Sequence, residues 1–267
     1  MTAKQNNGVI SNHTNEELND LFKNMHLKRW KEIYYECCGD MEFAQLSFAD
    51  QMHRMLKLYK SKSDISLLNK LNKRSGLAEQ ELNKIQNADS PICIKELEVI
   101  INSIVNRECR AITITGFTGT GKTTLAKYIL NLVIKKNLSA YYEFYDNVIS
   151  KLGFINNNYD NYQEYLKHLA KHRLLILDDA LIAINANTNE AKYLKDLLEA
   201  LMKTQCSLLL VSQRSIENWY TYFGNNYLTD AIIDRLNDGA IRVKLDGKSL
   251  RNREKIEIKS DTKNEEQ

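Results

Sequence analysis

Residues 111–130, AITITGFTGTGKTTLAKYIL, constrain the fold of this chain more tightly than any other stretch. Ile112 and Ile114 alternate as in a short buried strand, Gly116, Gly119 and Gly121 punctuate a loop, and a helix is predicted from Thr124 onward. Residues 116–123 fit the spacing G-x-x-x-x-G-K-[ST] of a P-loop. Glycines let the backbone of Gly116, Phe117, Thr118, Gly119, Thr120 and Gly121 turn its N–H groups inward around phosphate, with no Cβ in the way. Lys122 then supplies a point charge for the β- and γ-phosphates, the Thr123 hydroxyl a ligand for Mg²⁺, and the helix from Thr124 the positive end of a dipole. The alternative, a glycine cluster beside an exposed lysine, does not explain the flanking strand and helix.

A second carboxylate-bearing strand completes such a site. Residues 174–179, LLILDD, carry four consecutive aliphatics, as in a strand buried on both faces of a parallel sheet, with two carboxylates at its C-terminal end. In this Walker B pattern Asp178 holds Mg²⁺, directly or through water, and Asp179 orients the attacking water. Residues 207–211, SLLLV, form the next buried strand and deliver Ser212 and Gln213 to the same edge, where an amide can hydrogen-bond a γ-phosphate or the water. An acidic turn and a polar strand end without function are the plainer readings of these two segments.

At 267 residues the chain is long enough for one large domain or a medium and a small one. Its net charge of +3 says little about partners, so local clustering matters more. Residues 1–12 are polar and read as a loose terminus. Thr14 and Glu17 form a capping-box pattern ahead of Leu18, Leu21, Phe22 and Met25, and Trp30, Ile33, Tyr34 and Cys37 extend that helix to Gly39. A second helix follows Ser47, with Phe48, Met52, Met55, Leu56 and Tyr59 as its apolar stripe. Arg54, Lys57, Lys60, Lys62, Lys70, Lys73 and Arg74 stand against Asp64 alone on residues 54–74. That run is either a solvated helical surface or a contact surface for a nucleic-acid backbone.

Pro91, the one proline, marks the expected boundary between a helical domain of residues 1–90 and an α/β domain of residues 91–251, with 252–267 as a polar tail. A helix is predicted over 92–105, a strand over 139–144, and a helix through Val148 and Leu152 that takes in 162–172. Leu194, Leu197, Leu198 and Leu201 mark a further helix. The five cysteines, Cys37, Cys38, Cys93, Cys109 and Cys206, include no C-x-x-C pair and are expected as free thiols. His168 and His172, four apart, could pair on a helix face around a metal; with no acidic or cysteine ligand nearby, a solvated helix end is expected instead. No apolar segment suggests a signal peptide or membrane span, so a cytoplasmic protein is expected.

Taken together, GFTGTGKTTLA, LLILDDA, LLLVSQRSIENWYTYFG, LTDAIIDRLNDGA and GKSLR resemble the IstB-like ATP-binding proteins, AAA+ helpers of insertion-sequence transposases related to the DnaC helicase loaders. The resemblance covers residues 17–253. It implies an α/β fold: an AAA+ P-loop NTPase with a parallel sheet between helices, preceded by a small all-α domain. It also implies ATP and Mg²⁺ as cofactors and slow, assembly-dependent hydrolysis. The implied partners are duplex DNA, a transposase, and further copies of the chain in a ring or helical oligomer. Arg235 takes the place of an arginine finger that reaches a neighbouring subunit's γ-phosphate, and Arg251 that of a sensor-2 arginine. Phe117 stands where the family pattern often has proline, Asp179 where AAA+ proteins usually have glutamate, and Ala180-Leu181 and Arg214-Ser215 replace the usual pairs. A DnaC-type helicase loader would share every one of these site residues and differ in its partner. A small-molecule P-loop kinase, the reading from another class, would need an acceptor lid and no finger.

Overall fold

A computed structural model describes residues 14–78, 80–81, 84, 92–183, 189–215 and 218–245. The chain divides into two compact units, residues 1–69 and 70–267. The first is helical: α1 (Asn15–Asn24), α2 (Lys28–Cys38), α3 (Met41–Ala44) and most of α4 (Phe48–Arg74). Thr14 and Glu17 exchange both bonds of the capping box, at 3.2 and 2.9 Å. The single helix expected through Cys37 is two, because the chain turns at His26, which sits at φ 57. Ile33, Cys37 and Phe43 form the small core, with Met55, Leu58 and Tyr59 of α4 packed on it. The apolar stripe read for α4 needs correction: Phe48, Met52 and Leu56 are exposed. Positions 55, 58 and 59 share one helix face at i, i+3, i+4, whereas 48, 52 and 56 lie along the adjacent one.

The second unit is built on five parallel strands, β1 (Ala111–Gly116), β2 (Ala140–Phe144), β3 (Leu174–Ala180), β4 (Ser207–Ser212) and β5 (Ile241–Leu245), in the order β2-β3-β4-β1-β5. The helices are α5 (Ile94–Asn106), α6 (Lys122–Lys135), α7 (Tyr145–Ile155), α8 (Tyr159–Ala170), α9 (Glu190–Thr204), α10 (Trp219–Phe223) and α11 (Tyr227–Asn237). Leu175, Leu177, Leu208 and Leu210 point into a core shared with α7, α8, α9 and α11, while α6 packs along β1 to β4. Ile112, Ile114, Ile176, Leu209 and Val211 are buried as well. Burial on both faces is why β3 and β4 read as unbroken aliphatic runs.

Three boundaries depart from expectation. The first turn of α6 begins at Lys122, two residues before Thr124. The helix predicted through 172 is α7 and α8, separated where Asn158 caps α8 by accepting from the Asn161 N–H. The units divide after Asn69, within α4, whereas Pro91 lies outside the described residues. Residues beyond Asn69 dock on the edge strand: the Tyr142 N–H donates to the Ser75 carbonyl at 2.7 Å, and Leu71 and Leu77 are buried. Gly76, at φ 82, allows this approach, since a Cβ there would lie 2.3 Å from the Tyr142 carbonyl oxygen.

Candidate functional site

Strand order assembles the site. With β1 beside β4 and β4 beside β3, the segments that follow these strands emerge in a row at one edge of the sheet. The pairs Thr115↔Ser212 and Ala180↔Ser212 set them at one level. Loop 116–121, the start of α6, Asp178, Asp179 and Gln213 all arrive at that edge.

The loop is shaped by its glycines. A Cβ at Gly116 would sit 2.4 Å from the Leu245 carbonyl oxygen, and Gly119 and Gly121 hold φ of 86 and 92. Within it, Thr120 Oγ1 donates to the Phe117 carbonyl at 2.9 Å, and Lys122 Nζ donates to the same carbonyl at 2.8 Å. Phe117 itself points to solvent, so the residue that departs from the family's proline contributes its backbone rather than its ring. No side chain caps α6, and its leading N–H groups are the donors an anion can take.

An open cavity of about 200 Å³ is bounded by Thr118, Gly119, Gly121, residues 122–124, Asp179 and Gln213. Thr118 Oγ1 donates to Gln213 Oε1 at 3.1 Å, tying the amide after β4 to the loop. An ammonium, an uncapped helix start and inward-turned glycines suit a polyphosphate. The hydroxyl of Thr123 and the carboxylate of Asp179, which border the same cavity, are oxygen ligands of the kind Mg²⁺ takes, whereas Asp178 lies buried behind that lining. The residues present therefore fit ATP and Mg²⁺.

Asp178 and Asp179 have separate environments. Asp178 is wholly buried; its Oδ2 accepts from the Tyr142 hydroxyl at 2.5 Å and its Oδ1 from the Asp179 N–H at 2.9 Å. Burial, then the hydrogen bond to Asp178 and its charge, hold the Tyr142 phenol well above its usual value, so it remains a donor. Asp179 borders the cavity, because the register shifts between Leu177 and Ala180 and re-aims the side chain. Asp179 and Leu181 are left-handed, at φ 55 and 60, a conformation that costs a non-glycine residue roughly 1 kcal/mol or more.

Arg214 holds this turn. Its Nε donates to the Leu181 carbonyl and its Nη2 to that of Ala183, both at 2.9 Å. Ser212 Oγ accepts from the Arg214 N–H at 3.0 Å and donates to the Ala180 carbonyl at 2.8 Å. The guanidinium lies 5.5 Å from the centre of the Tyr222 ring, whose hydroxyl joins that of Tyr145 on the buried carboxylate of Glu190. Sequence reasoning gave Tyr142 no role and named Arg214 only as a departure from the family pattern. Tyr142 could have been found from the alternation of β2; Arg214 carried only its place after Ser212-Gln213.

Arg235 is not brought to this site. It borders a different cavity, of about 150 Å³, together with Ala111, the first residue of β1, and Leu208, the second of β4, at the opposite edge of the sheet. There Nη2 meets Glu199 Oε1 at 3.1 Å and Nη1 the Ala231 carbonyl at 2.9 Å. Arg251, with the rest of GKSLR, lies outside the described residues, as do 1–13 and 252–267. Of the basic residues on α4, Arg54 and Lys62 form ion pairs with Asp40 and Glu36, whereas Lys57, Lys60, Lys70, Lys73 and Arg74 are exposed.

All five cysteines are free thiols, and burial pushes that of Cys206 up to about 12. The histidine pair corrects the expected solvated helix end. α8 stops at Ala170, and His172 is 6% exposed, stacked 5.3 Å from the Tyr141 ring. Among the described residues no group of three metal-ligating side chains occurs, and no helix is long and apolar enough to cross a membrane.

Residues 23–258 match the family described as IstB-like ATP binding protein. An insertion-sequence ATP-binding protein of Sinorhizobium fredii is 32% identical over 145 residues, 52% of this chain and 56% of that protein. An ATP-binding protein in an insertion sequence of Mycobacterium tuberculosis is 28% identical over 151 residues, 54% of this chain and 57% of that protein. The match thus spans little more than half the length of these relatives. Among solved structures, the DnaC helicase loader superposes with a TM-score of 0.52 at 17% identity, over 63% of this chain and 100% of that one, and so shares the fold.

Proposed function

The chain belongs to the IstB-like ATP-binding family, with a helical unit followed in sequence by an AAA+ P-loop fold, and from that premise we propose that it is an assembly-dependent ATPase of DNA transposition. In this reading ATP gathers copies of the chain on duplex DNA, the assembly recruits and activates a partner transposase, and hydrolysis resets it.

The observation that carries this reading is the separation of the arginine from the site. Lys122, Asp179 and Gln213 border one cavity, while Arg235 sits at the other edge of the same sheet. A single chain therefore cannot bring Arg235 to its own loop, but a neighbour in a head-to-tail assembly can supply it. A guanidinium inserted there stabilises the charge that develops on the transferred phosphoryl group.

Mg²⁺, when bound, would neutralise the β- and γ-oxygens. The chain's own residues do the rest. Lys122 exchanges the Phe117 carbonyl for phosphate oxygen. Thr123 and Asp178 offer oxygen ligands, and Tyr142 holds the Asp178 carboxylate in one orientation. Asp179 orients the attacking water, and Gln213, tied to Thr118, detects whether the γ-phosphate is present.

Mixing two inactive variants tests the shared site. Asp179→Asn keeps its finger but cannot polarise water, and Arg235→Ala keeps an intact loop but offers no finger. An equal mixture recovers activity at about a quarter of its interfaces if each site is completed by the next copy. Recovery of none, with both variants co-assembled, refutes it.

A further inference from the structure

A cavity of about 470 Å³ lies at the edge of the sheet opposite the P-loop, and the nucleotide site makes no use of it. Arg107, Asn137, Lys171 and Gln205, each just beyond the end of a helix, border it together with His172 and Arg173. Helix C-termini alone would make this a negative place: four of them, at about half a charge each, bring roughly two negative charges. Arg107, Lys171 and Arg173 border the cavity, so three cations leave it about one charge positive, and the charge of Arg74 also reaches His172. Among the described residues none of these four side chains is in an ion pair, and no acidic side chain borders the cavity.

The cavity wall also holds polar atoms without partners. Both ring nitrogens of His172 and Nη1 of Arg173 are buried with no hydrogen bond. A buried donor left unpaired costs about 1–3 kcal/mol, so such atoms call for a partner. Burial, then the charges of Lys171, His168 and Arg74, push His172 down to about 4, as befits an imidazole with cations around it and no counter-charge. Arg107 and Lys171 are exposed at the rim, where a group carried on a polymer can reach them. Leu71 borders the same cavity, which makes it continuous with the basic last turn of α4, Lys73 and Arg74.

We infer that this cavity is a phosphate-binding subsite, and, resting on the DNA-binding reading above, that it takes a backbone phosphate of duplex DNA. Arg173 Nη1 is without a partner and Arg107, whose Nη1 donates to Gln205 Oε1 at 2.8 Å, has further N–H groups on its guanidinium, so the two suit a tetrahedral oxyanion; inorganic phosphate offers the same oxygens without the polymer.

Two arms separate these sources. In the first, labelled duplex is titrated with the full-length protein over a salt series. One lost phosphate contact lowers the log–log salt slope by about 0.9 and affinity about eightfold at 0.1 M salt, so Arg107→Gln/Lys171→Gln should lose one to two such steps. Lys95→Gln/Lys192→Gln, an equal charge change at exposed positions elsewhere, should lose less than twofold. Lys171→Gln alone, at an exposed side chain, serves if the double variant is unstable. In the second arm inorganic phosphate is added while the His172 ring signals are followed by histidine-selective NMR, assigned with His172→Gln. Selective loss of duplex affinity supports the backbone subsite. Unchanged duplex binding, with a phosphate-induced shift of His172 that Lys171→Gln abolishes, keeps the phosphate site and refutes the DNA assignment. If the parent protein binds no duplex, the DNA reading fails by itself and the phosphate arm alone decides the cavity. Equal duplex loss in the control pair together with an unmoved His172 overturns the inference.

Discussion

Removing one hydroxyl, in Tyr142→Phe, isolates what holds Asp178. The Tyr142 hydroxyl donates at 2.5 Å to a carboxylate that is wholly buried, and without it the Asp179 N–H is the remaining donor among the described residues. Hydrogen bonds to charged groups contribute about 1.5–3 kcal/mol when buried, and the ring itself is retained by Lys127 5.0 Å from its centre. For a domain of this size each kilocalorie shifts Tm by about 2–4 °C, so the variant should melt roughly 3–12 °C lower without nucleotide, followed by circular dichroism. Tyr141→Phe is the control. Its hydroxyl meets Glu143 at 3.4 Å, so the loss should stay within about 0.5 kcal/mol. If Asp178 holds Mg²⁺ as proposed, saturating ATP and Mg²⁺ should narrow the gap between parent and Tyr142→Phe, since the carboxylate would then gain a cation. A Tm within 1 °C of the parent, or equal losses in the two variants, would refute the role assigned to Tyr142.

Other consequences are as direct. Lys122→Ala should weaken ATP binding roughly 100-fold in a fluorescent-nucleotide titration while Tm changes little, and a loss under about threefold contradicts the loop assignment. Arg214→Ala frees the Leu181 and Ala183 carbonyls and with them the strained turn at Asp179, so hydrolysis should fall at least about tenfold with nucleotide affinity nearly unchanged. Arg214→Lys should not restore it, since one ammonium cannot reproduce the fork; parent-like turnover in either variant contradicts the positioning role. His172, neutral in the fold down to about pH 4, takes up a proton near pH 6.5 when unfolded. Stability should therefore fall as pH drops from about 6.5 to 4, and His172→Phe should flatten that slope in Tm against pH; an unchanged slope contradicts it.

What was legible in the sequence was local. Glycine spacing and the adjacent lysine specify the phosphate loop within eight residues, and LLIL and LLLV announce strands whose burial follows from their composition alone. What depends on strand order was hidden. Tyr142 reaches Asp178 only because β2 pairs with β3, and the distance of Arg235 from the loop follows from which end of the sheet α11 returns to. His172 misled for a different reason. Spacing of four implies a shared face only while a helix continues, and α8 ends at Ala170, turning the imidazole inward. On α4 the helix itself was plain, but the choice between two adjacent apolar faces was made by Ile33, Cys37 and Phe43, which no local pattern connects to it.

Assembly driven by nucleotide is the central claim, and size-resolved binding to long duplex DNA, with ATP, ADP or no nucleotide across a salt series, tests it most directly. Large complexes that form with ATP alone, prefer duplex to single strands, and weaken steeply with salt are the predicted result. A protein that stays monomeric on duplex under all three conditions would contradict it, and one that assembles only on single strands would point instead to a helicase partner.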